Sequence, residues 1–94
     1  MLRIESLEID DHILYKIEAK HGISWEEVEQ ACLSDKRHVR RGREGLYKLF
    51  SRTDAGRYIL VVLVDLGRGD WKVVTAREMT ASERRLYTKV TGGK

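Results

Sequence analysis

The chain has 94 residues, 41% of them hydrophobic and 35% charged, which is long enough for one modest hydrophobic core but too short for two independent ones. No apolar run approaches the roughly 20 residues of a bilayer span, and the first residues lack the apolar stretch of a secretory signal, which predicts a cytoplasmic protein without a membrane anchor. The lone cysteine, Cys32, excludes an internal disulfide. The three histidines are scattered without ligand spacing, so no metal or other cofactor is expected.

The charges are distributed unevenly. Residues 1–35 carry three lysines and arginines against nine carboxylates, a net charge of −6, whereas residues 36–94 carry fifteen against six, a net charge of +9. Such segregation in a short chain predicts that the second half binds a polyanion, the alternative being a solvated surface without a ligand.

The first third of the chain predicts a strand and two helices. An imperfect alternation over residues 2–9 is typical of a short strand. Asp10 or Asp11 then begins a helix that ends at Gly22, which can adopt the left-handed cap conformation. The Ser-Trp-Glu-Glu segment at 24–27 is a capping box and opens a helix through residue 33. Cys32 falls on the inner face of this helix and is expected to be a buried hydrophobe rather than a nucleophile.

The rest of the chain predicts four strands and a final helix. The strands are separated by glycine-containing turns and are expected at His38 to Arg43, Leu46 to Arg52, Tyr58 to Val64 and Trp71 to Ala76. A second capping box, Thr80-Ala81-Ser82-Glu83, opens a helix through about Lys89, with Met79, Leu86 and Val90 expected on its core side. The resulting order, β-α-α-β-β-β-β-α, predicts an α+β domain over residues 1–90 with a flexible tail at 91–94. We expect an antiparallel sheet of four to five strands with the helices covering one face.

The end of the chain concentrates groups that bind phosphate. The last strand leads into Arg77, and the helix behind it carries Arg84 and Tyr87 on one face, with Arg85 pointing further round. Guanidinium groups stay charged at any working pH, and their planar fork matches phosphate oxygens. A fixed Arg77 would stabilise negative charge that develops on a phosphate during attack. The alternative is a structural ion pair with Glu78 or Glu83.

Two other segments complete the candidate site. The basic strand around Arg40, Arg41 and Arg43, continued by Lys48, predicts contacts with a nucleic-acid backbone, or an edge strand charged against aggregation. On a strand, Arg41 and Arg43 would share a face opposite Arg40. Lys20-His21-Gly22 places a candidate general acid or base at a helix end, although a C-capping histidine is the simpler interpretation. Four aromatic residues can stack on bases or fill the core: Trp25, Tyr47, Tyr58 and Trp71.

These motifs together resemble one known family. The match is made by Lys20-His21-Gly22-Ile23-Ser24, the following Glu26-Glu27-Val28, and the closing Val74-Thr75-Ala76-Arg77-Glu78-Met79-Thr80 with Glu83-Arg84-Arg85-x-Tyr87. In order and spacing they are similar to the BrnT-like toxins of bacterial type II toxin–antitoxin systems, and the similarity covers nearly the whole chain.

The resemblance implies a fold, an activity and partners. It implies a RelE-like fold and a metal-independent ribonuclease that cleaves RNA and arrests translation. The partners implied are RNA and a cognate antitoxin encoded by an adjacent gene. A homo-oligomer and a toxin–antitoxin heterotetramer both remain open as assemblies. The catalytic positions fall on Arg77, His21, Lys20 and Tyr87. RNA binding is expected from the other candidate cations, Arg40, Arg41, Arg43, Lys48, Arg84 and Arg85. The alternative is a non-catalytic protein that binds RNA or the antitoxin through the same basic face.

Overall fold

The computed structural model describes residues 3–92, and the order of their elements confirms the predicted α+β class. The elements are β1 (Ser6–Glu8), α1 (Asp11–His21), α2 (Trp25–Leu33), β2 (His38–Arg41), β3 (Leu46–Arg52), β4 (Tyr58–Gly67), β5 (Asp70–Glu78) and α3 (Ala81–Val90). Of the tail expected at 91–94, Thr91 and Gly92 form a turn, and the last two residues lie outside the described part.

Local sequence signals set three helix ends as predicted, whereas Asp10 stands at the N-cap of α1 without a side-chain cap hydrogen bond and pairs with Lys72 instead. In both capping boxes the side-chain hydroxyl accepts the backbone N–H of a glutamate three residues on, and that glutamate accepts the backbone N–H of the cap, at Ser24 for α2 and Thr80 for α3. Gly22 ends α1 with a φ of 62°, in the left-handed region that costs glycine little.

The sheet is mixed, so the expectation of a purely antiparallel sheet was wrong. Its order is β1-β5-β4-β3-β2, with antiparallel pairs throughout except that β1 runs parallel to β5. Turn signals between consecutive strands predict antiparallel hairpins, but β1 and β5 share no turn. Their pairing is set instead by long-range contacts, among them a bond from the Trp71 indole N–H to the carbonyl of Arg3 at 2.9 Å.

The helices cover both faces of the sheet, which corrects the prediction of one covered face. α1 and α2 pack on the larger core, which contains Ile17, Val28 and Val61. α3 packs on the other face through Tyr87, against Phe50 and Leu60. Adjacent strand residues such as Leu60 and Val61 point to opposite faces. The sheet therefore forms the middle of three layers.

Two smaller differences concern the basic half of the chain. β2 ends at Arg41, and Arg43 lies in the turn to β3, where its carbonyl accepts the N–H of Leu46 at 3.0 Å. On α3 the residue in the core is Tyr87, whereas Leu86 and Val90 are 37% and 47% exposed, so their assignment to the core was wrong. The prediction for Cys32 is confirmed, since it is buried and burial raises its pKa to about 12.

None of the helices within residues 3–92 is long and apolar enough to cross a membrane.

Candidate functional site

Basic side chains collect on the sheet face that α3 covers, which we call the α3 face. Residues directly opposite each other on neighbouring strands project from the same face. Arg77 pairs with Leu60, which lies in the core beneath α3. Val62 is two residues beyond Leu60 on β4 and so projects from the same face. Val62 pairs with Lys48 of β3, and Lys48 pairs with Arg40 of β2. Arg77, Arg40 and Lys48 therefore lie on one face, the last two of them exposed to solvent.

The other two cations of the basic strand do not join them. Arg41 pairs with Tyr47, whose ring packs edge-on against Trp71 at 5.1 Å in the core beneath α1 and α2. The Arg41 guanidinium carbon lies 5.9 Å from the Tyr47 ring centre, so this side chain belongs to the opposite face. Arg43 is outside the strand, in the β2–β3 turn.

Arg77 is held by a two-pronged ion pair. Its Nη1 and Nη2 donate to Oε1 and Oε2 of Glu83 at 2.8 and 2.9 Å, and Nη1 also donates to the Glu78 carbonyl at 3.0 Å. These bonds use three of the five guanidinium N–H groups. Among the described residues nothing accepts from the remaining two, on Nε and Nη2, which together form the second fork of the guanidinium. The structure thus shows the ion pair named as an alternative, and it also leaves Arg77 a free fork for an anion.

The electrostatics of this pair are strong. Hydrogen bonds from Arg77, partly offset by burial and assisted by the Thr80 N–H, lower the pKa of Glu83 to about 2. The same hydrogen bonds raise the pKa of Arg77. Both groups are therefore ionised at any working pH, and the guanidinium is fixed in place before a ligand arrives.

Lys20 and His21, at the end of α1, lie beside β5, the strand that carries Arg77. With Lys16 they line a cavity of about 220 Å³ that is closed on the other side by Val74 and Thr75 of β5. Thr75 pairs with Val62 and so lies on the α3 face, two residues from Arg77, a separation of about 6.6 Å along a strand.

The edge of β5 at this place is open. β1 pairs only with residues 70–72 of β5, and the described residues provide no strand partner beyond them. A β-bulge at Val74, where the register with β4 shifts, adds to the irregularity. Bulges of this kind recur beside functional sites, because they redirect side chains. Lys20 and His21 on one side and Arg77 on the other thus flank one exposed edge.

Arg57 holds the end of α1, a role that no sequence pattern indicated. Its Nη1 and Nη2 donate to the carbonyls of Gly22 and His21, both at 2.8 Å, while Nε donates to Glu78 at 3.0 Å and Nη1 to Glu27 at 3.2 Å. One side chain from the β3–β4 turn thus satisfies the last carbonyls of α1 and ties them to α2 and to the end of β5. The sequence shows that α1 needs such donors, but not which distant arginine supplies them.

On α3 the phenol of Tyr87 is buried, whereas the guanidinium groups of Arg84 and Arg85 lie at the surface. Tyr87 is 1% exposed, its hydroxyl donates to the carbonyl of Lys36 at 2.7 Å, and burial raises its pKa. Its ring meets that of Tyr58 edge-on at 5.9 Å. Arg84 lies on the outside, with its guanidinium carbon 4.3 Å from the Tyr58 ring centre. Arg85 is exposed, and its Nη2 donates to the Ser82 hydroxyl at 3.3 Å.

Within residues 3–92, no group of three or more histidine, cysteine, aspartate or glutamate side chains is placed to hold a metal ion.

Fold and site together define a small α+β protein that presents a basic sheet face, and this architecture occurs among solved structures. The crystal structure of the Brucella abortus ribonuclease toxin BrnT matches the chain with a TM-score of 0.67, covering 80% of this chain and 96% of that one at 16% sequence identity. The chain therefore has a BrnT-like fold. No protein-family model matches it, and neither does any curated protein at a significant level.

Proposed function

We propose that this protein is a ribonuclease toxin of the BrnT type, which cleaves RNA and is neutralised by an antitoxin encoded by an adjacent gene. The observation that carries the proposal is the fork of Arg77, which Glu83 holds in place, on the same strand as Thr75, which lines the cavity beside Lys20 and His21. The BrnT-like fold supports it, because BrnT is a ribonuclease toxin.

RNA supplies its own nucleophile in this mechanism. The ribose 2′-hydroxyl attacks the adjacent phosphorus, a 2′,3′-cyclic phosphate forms, and the bond from phosphorus to the 5′-oxygen of the next nucleotide breaks. One group must accept the 2′-hydroxyl proton, and one must protonate the leaving oxygen. His21 and Lys20 line the cavity beside β5 and are the two groups that we assign to proton transfer.

In this mechanism Arg77 stabilises the negative charge that develops on the phosphate. The attack places extra negative charge on the non-bridging oxygens, and a guanidinium already fixed by Glu83 stabilises that charge without reorganising. Because a guanidinium provides this stabilisation itself, we propose that cleavage needs no divalent ion. Arg40 and Lys48, on the same face, neutralise the flanking backbone, which gives affinity without sequence reading.

Tyr87 takes a different role from the one that the family resemblance implies. Its hydroxyl is occupied by the Lys36 carbonyl, and its ring is buried. We propose that Tyr87 positions Tyr58 and α3 and makes no contact with the scissile phosphate.

The decisive experiment compares RNA cleavage by wild type, Arg77→Ala and Arg77→Lys, with chelator and with magnesium. We expect wild type to cut in both buffers and Arg77→Ala to lose about 10²–10³-fold in rate, the usual effect of removing one preorganised donor. Lysine keeps the charge but not the fork, so Arg77→Lys should recover only part of the rate.

The matched control is Arg68→Asn, which removes a charge in the β4–β5 turn, where φ is 59° and asparagine is tolerated. It should cleave like wild type. Intact RNA in both buffers, together with a host that grows no better with Arg77→Ala than with wild type, would rule out the ribonuclease.

The alternative is a non-catalytic module that binds RNA or the antitoxin through the α3 face. The ion pair of Arg77 with Glu83 favours it, since a structural role for Arg77 needs no chemistry. Salt-dependent RNA binding without cleavage at any pH would select this alternative.

Two further measurements test the proposed assembly and location. Light scattering of the chain purified alone and with its neighbouring gene product distinguishes a homo-oligomer from a toxin–antitoxin heterotetramer. Cell fractionation tests the proposed cytoplasmic location.

A further inference from the structure

A second groove lies on the outer side of α3, away from the cavity beside β5. Its volume is about 530 Å³, and its lining consists of Tyr58, Ala81, Arg84, Arg85, Thr88 and Lys89. The volume is in the range of sites that hold small ligands or parts of larger ones. Three of the six lining residues are cations and none is an acid, so the groove favours an anionic ligand.

Nearby carboxylates do not cancel this charge. Glu83, next to Arg84 in the sequence, is paired with Arg77, and Glu78 is paired with Arg57. A further cation, Arg52, is adjacent to Tyr58, with its guanidinium carbon 4.8 Å from the ring centre.

The aromatic wall of the groove is supported by packing and a hydrogen bond. Tyr58 is half-buried, its ring is supported edge-on by Tyr87, and the Tyr87 hydroxyl is anchored to the Lys36 carbonyl. Arg84 lies over the same ring at 4.3 Å. An aromatic ring beside a guanidinium is a surface on which a base stacks without regard to its identity, while neighbouring cations hold its phosphates.

The groove also lies close to Arg77, because Tyr58 is two residues from Leu60, the strand partner of Arg77. α3 begins four residues after Arg77, and Glu83, which holds Arg77, directly precedes Arg84. A strand of RNA whose scissile phosphate lies at Arg77 therefore needs only a few nucleotides to reach the groove.

We propose that this groove is a subsite for a flanking nucleotide of single-stranded RNA, with the base stacked on the Tyr58–Arg84 pair and the phosphates held by Arg84, Arg85 and Lys89. The inference rests on the proposed function, since it assigns part of the same substrate. The subsite contributes affinity and position and reads little sequence, because every base offers a face for stacking.

The test measures binding of a labelled single-stranded RNA whose 2′-hydroxyls are methylated, so that it cannot be cut. Fluorescence anisotropy is recorded over a range of salt concentrations. Arg84→Ala should weaken binding and reduce the slope of log affinity against log salt by about 0.7, the value for one phosphate contact on a single strand. Tyr58→Leu should weaken binding at least about fivefold and leave the slope unchanged, because stacking releases no counterions.

Two variants control for folding and for general charge. Tyr58→Phe keeps the ring and should bind like wild type, which separates stacking from a disturbed core. Arg68→Asn removes an exposed cation far from the groove and should change neither affinity nor slope. Unchanged binding by both Arg84→Ala and Tyr58→Leu overturns the subsite. So does an equal loss with Arg68→Asn, or a poly-glutamate peptide that binds with the same dependence on Arg84 and Tyr58 as the RNA.

Failure of the subsite and failure of the proposed function give different results. If wild type cleaves unmodified RNA but the groove variants bind methylated RNA normally, the subsite is wrong and the ribonuclease stands. If the groove variants lose binding as described but wild type leaves unmodified RNA intact, the subsite stands on a protein that binds RNA without cutting it.

Discussion

Replacing Glu83 by glutamine tests the ion pair that fixes Arg77. A carboxyl whose pKa falls from 4.5 to about 2 on folding contributes at most about 3.4 kcal/mol at neutral pH, since each tenfold change in proton affinity corresponds to about 1.36 kcal/mol. The Arg77 side chain is 38% exposed, so solvent screening reduces this to about 1–2 kcal/mol. Glutamine keeps an oxygen for the Thr80 N–H and so preserves the cap of α3.

The sign of the pH dependence follows from the direction of the shift. The unfolded chain binds the Glu83 proton more tightly than the folded chain, so this stability is complete above about pH 5 and is lost as pH falls through about 2. Urea unfolding should therefore show Glu83→Gln to be less stable than wild type by about 1–2 kcal/mol at pH 7, with the difference shrinking below pH 4. On the proposed function, RNA cleavage by this variant should also slow, because Arg77 is no longer preorganised.

The control is Glu26→Gln, an exposed glutamate in the first turn of α2, which should stay within about 0.5 kcal/mol of wild type at both pH values. A Glu83→Gln variant as stable as wild type at pH 7, or equally destabilised at pH 7 and pH 2.5, would refute the ionic origin of the effect. Full cleavage activity in a destabilised Glu83→Gln variant would refute the role of the pair in preorganising Arg77.

Three further outcomes follow from the structure. Arg57→Met removes the donors that join α1, α2 and β5 and should cost about 2–3 kcal/mol, a fall in Tm of roughly 10–20 °C by calorimetry, with Arg57→Lys in between. Tyr87→Phe loses the bond to Lys36 and should cost about 1 kcal/mol in urea unfolding while the proposed RNA cleavage by the folded protein stays unchanged; a large loss of rate would give Tyr87 a role in the chemistry. Cys32, buried with its pKa raised to about 12, should resist iodoacetamide at pH 8 until the chain is unfolded, as mass spectrometry would show.

The sequence predicted features whose causes are local. A capping box needs only four consecutive residues, and so Ser24 and Thr80 marked their helices correctly. Strand alternation likewise placed Arg40 and Arg41 on opposite faces. These features depend on backbone geometry over a few residues, which tertiary packing seldom overrides.

The sequence failed where distant segments meet. Nothing near β1 shows that it runs parallel to β5, because no turn connects them. On α3, Leu86 and Tyr87 are neighbours, and a short amphipathic helix does not show which of two adjacent apolar residues turns inward. The role of Arg57 depends on carbonyls 35 and 36 residues away, and no local pattern distinguishes it from the other arginines.

The distance along the chain between interacting residues has a consequence for synthesis. Tyr87 bonds to Lys36 across 51 residues, and Trp71 to Arg3 across 68. Contacts of such range form late in folding. A chain still leaving the ribosome lacks Glu83 to hold Arg77 and lacks α3 to support Tyr58. On our proposal such a nascent chain has no ribonuclease activity. The antitoxin is therefore needed only after the toxin chain has been completed.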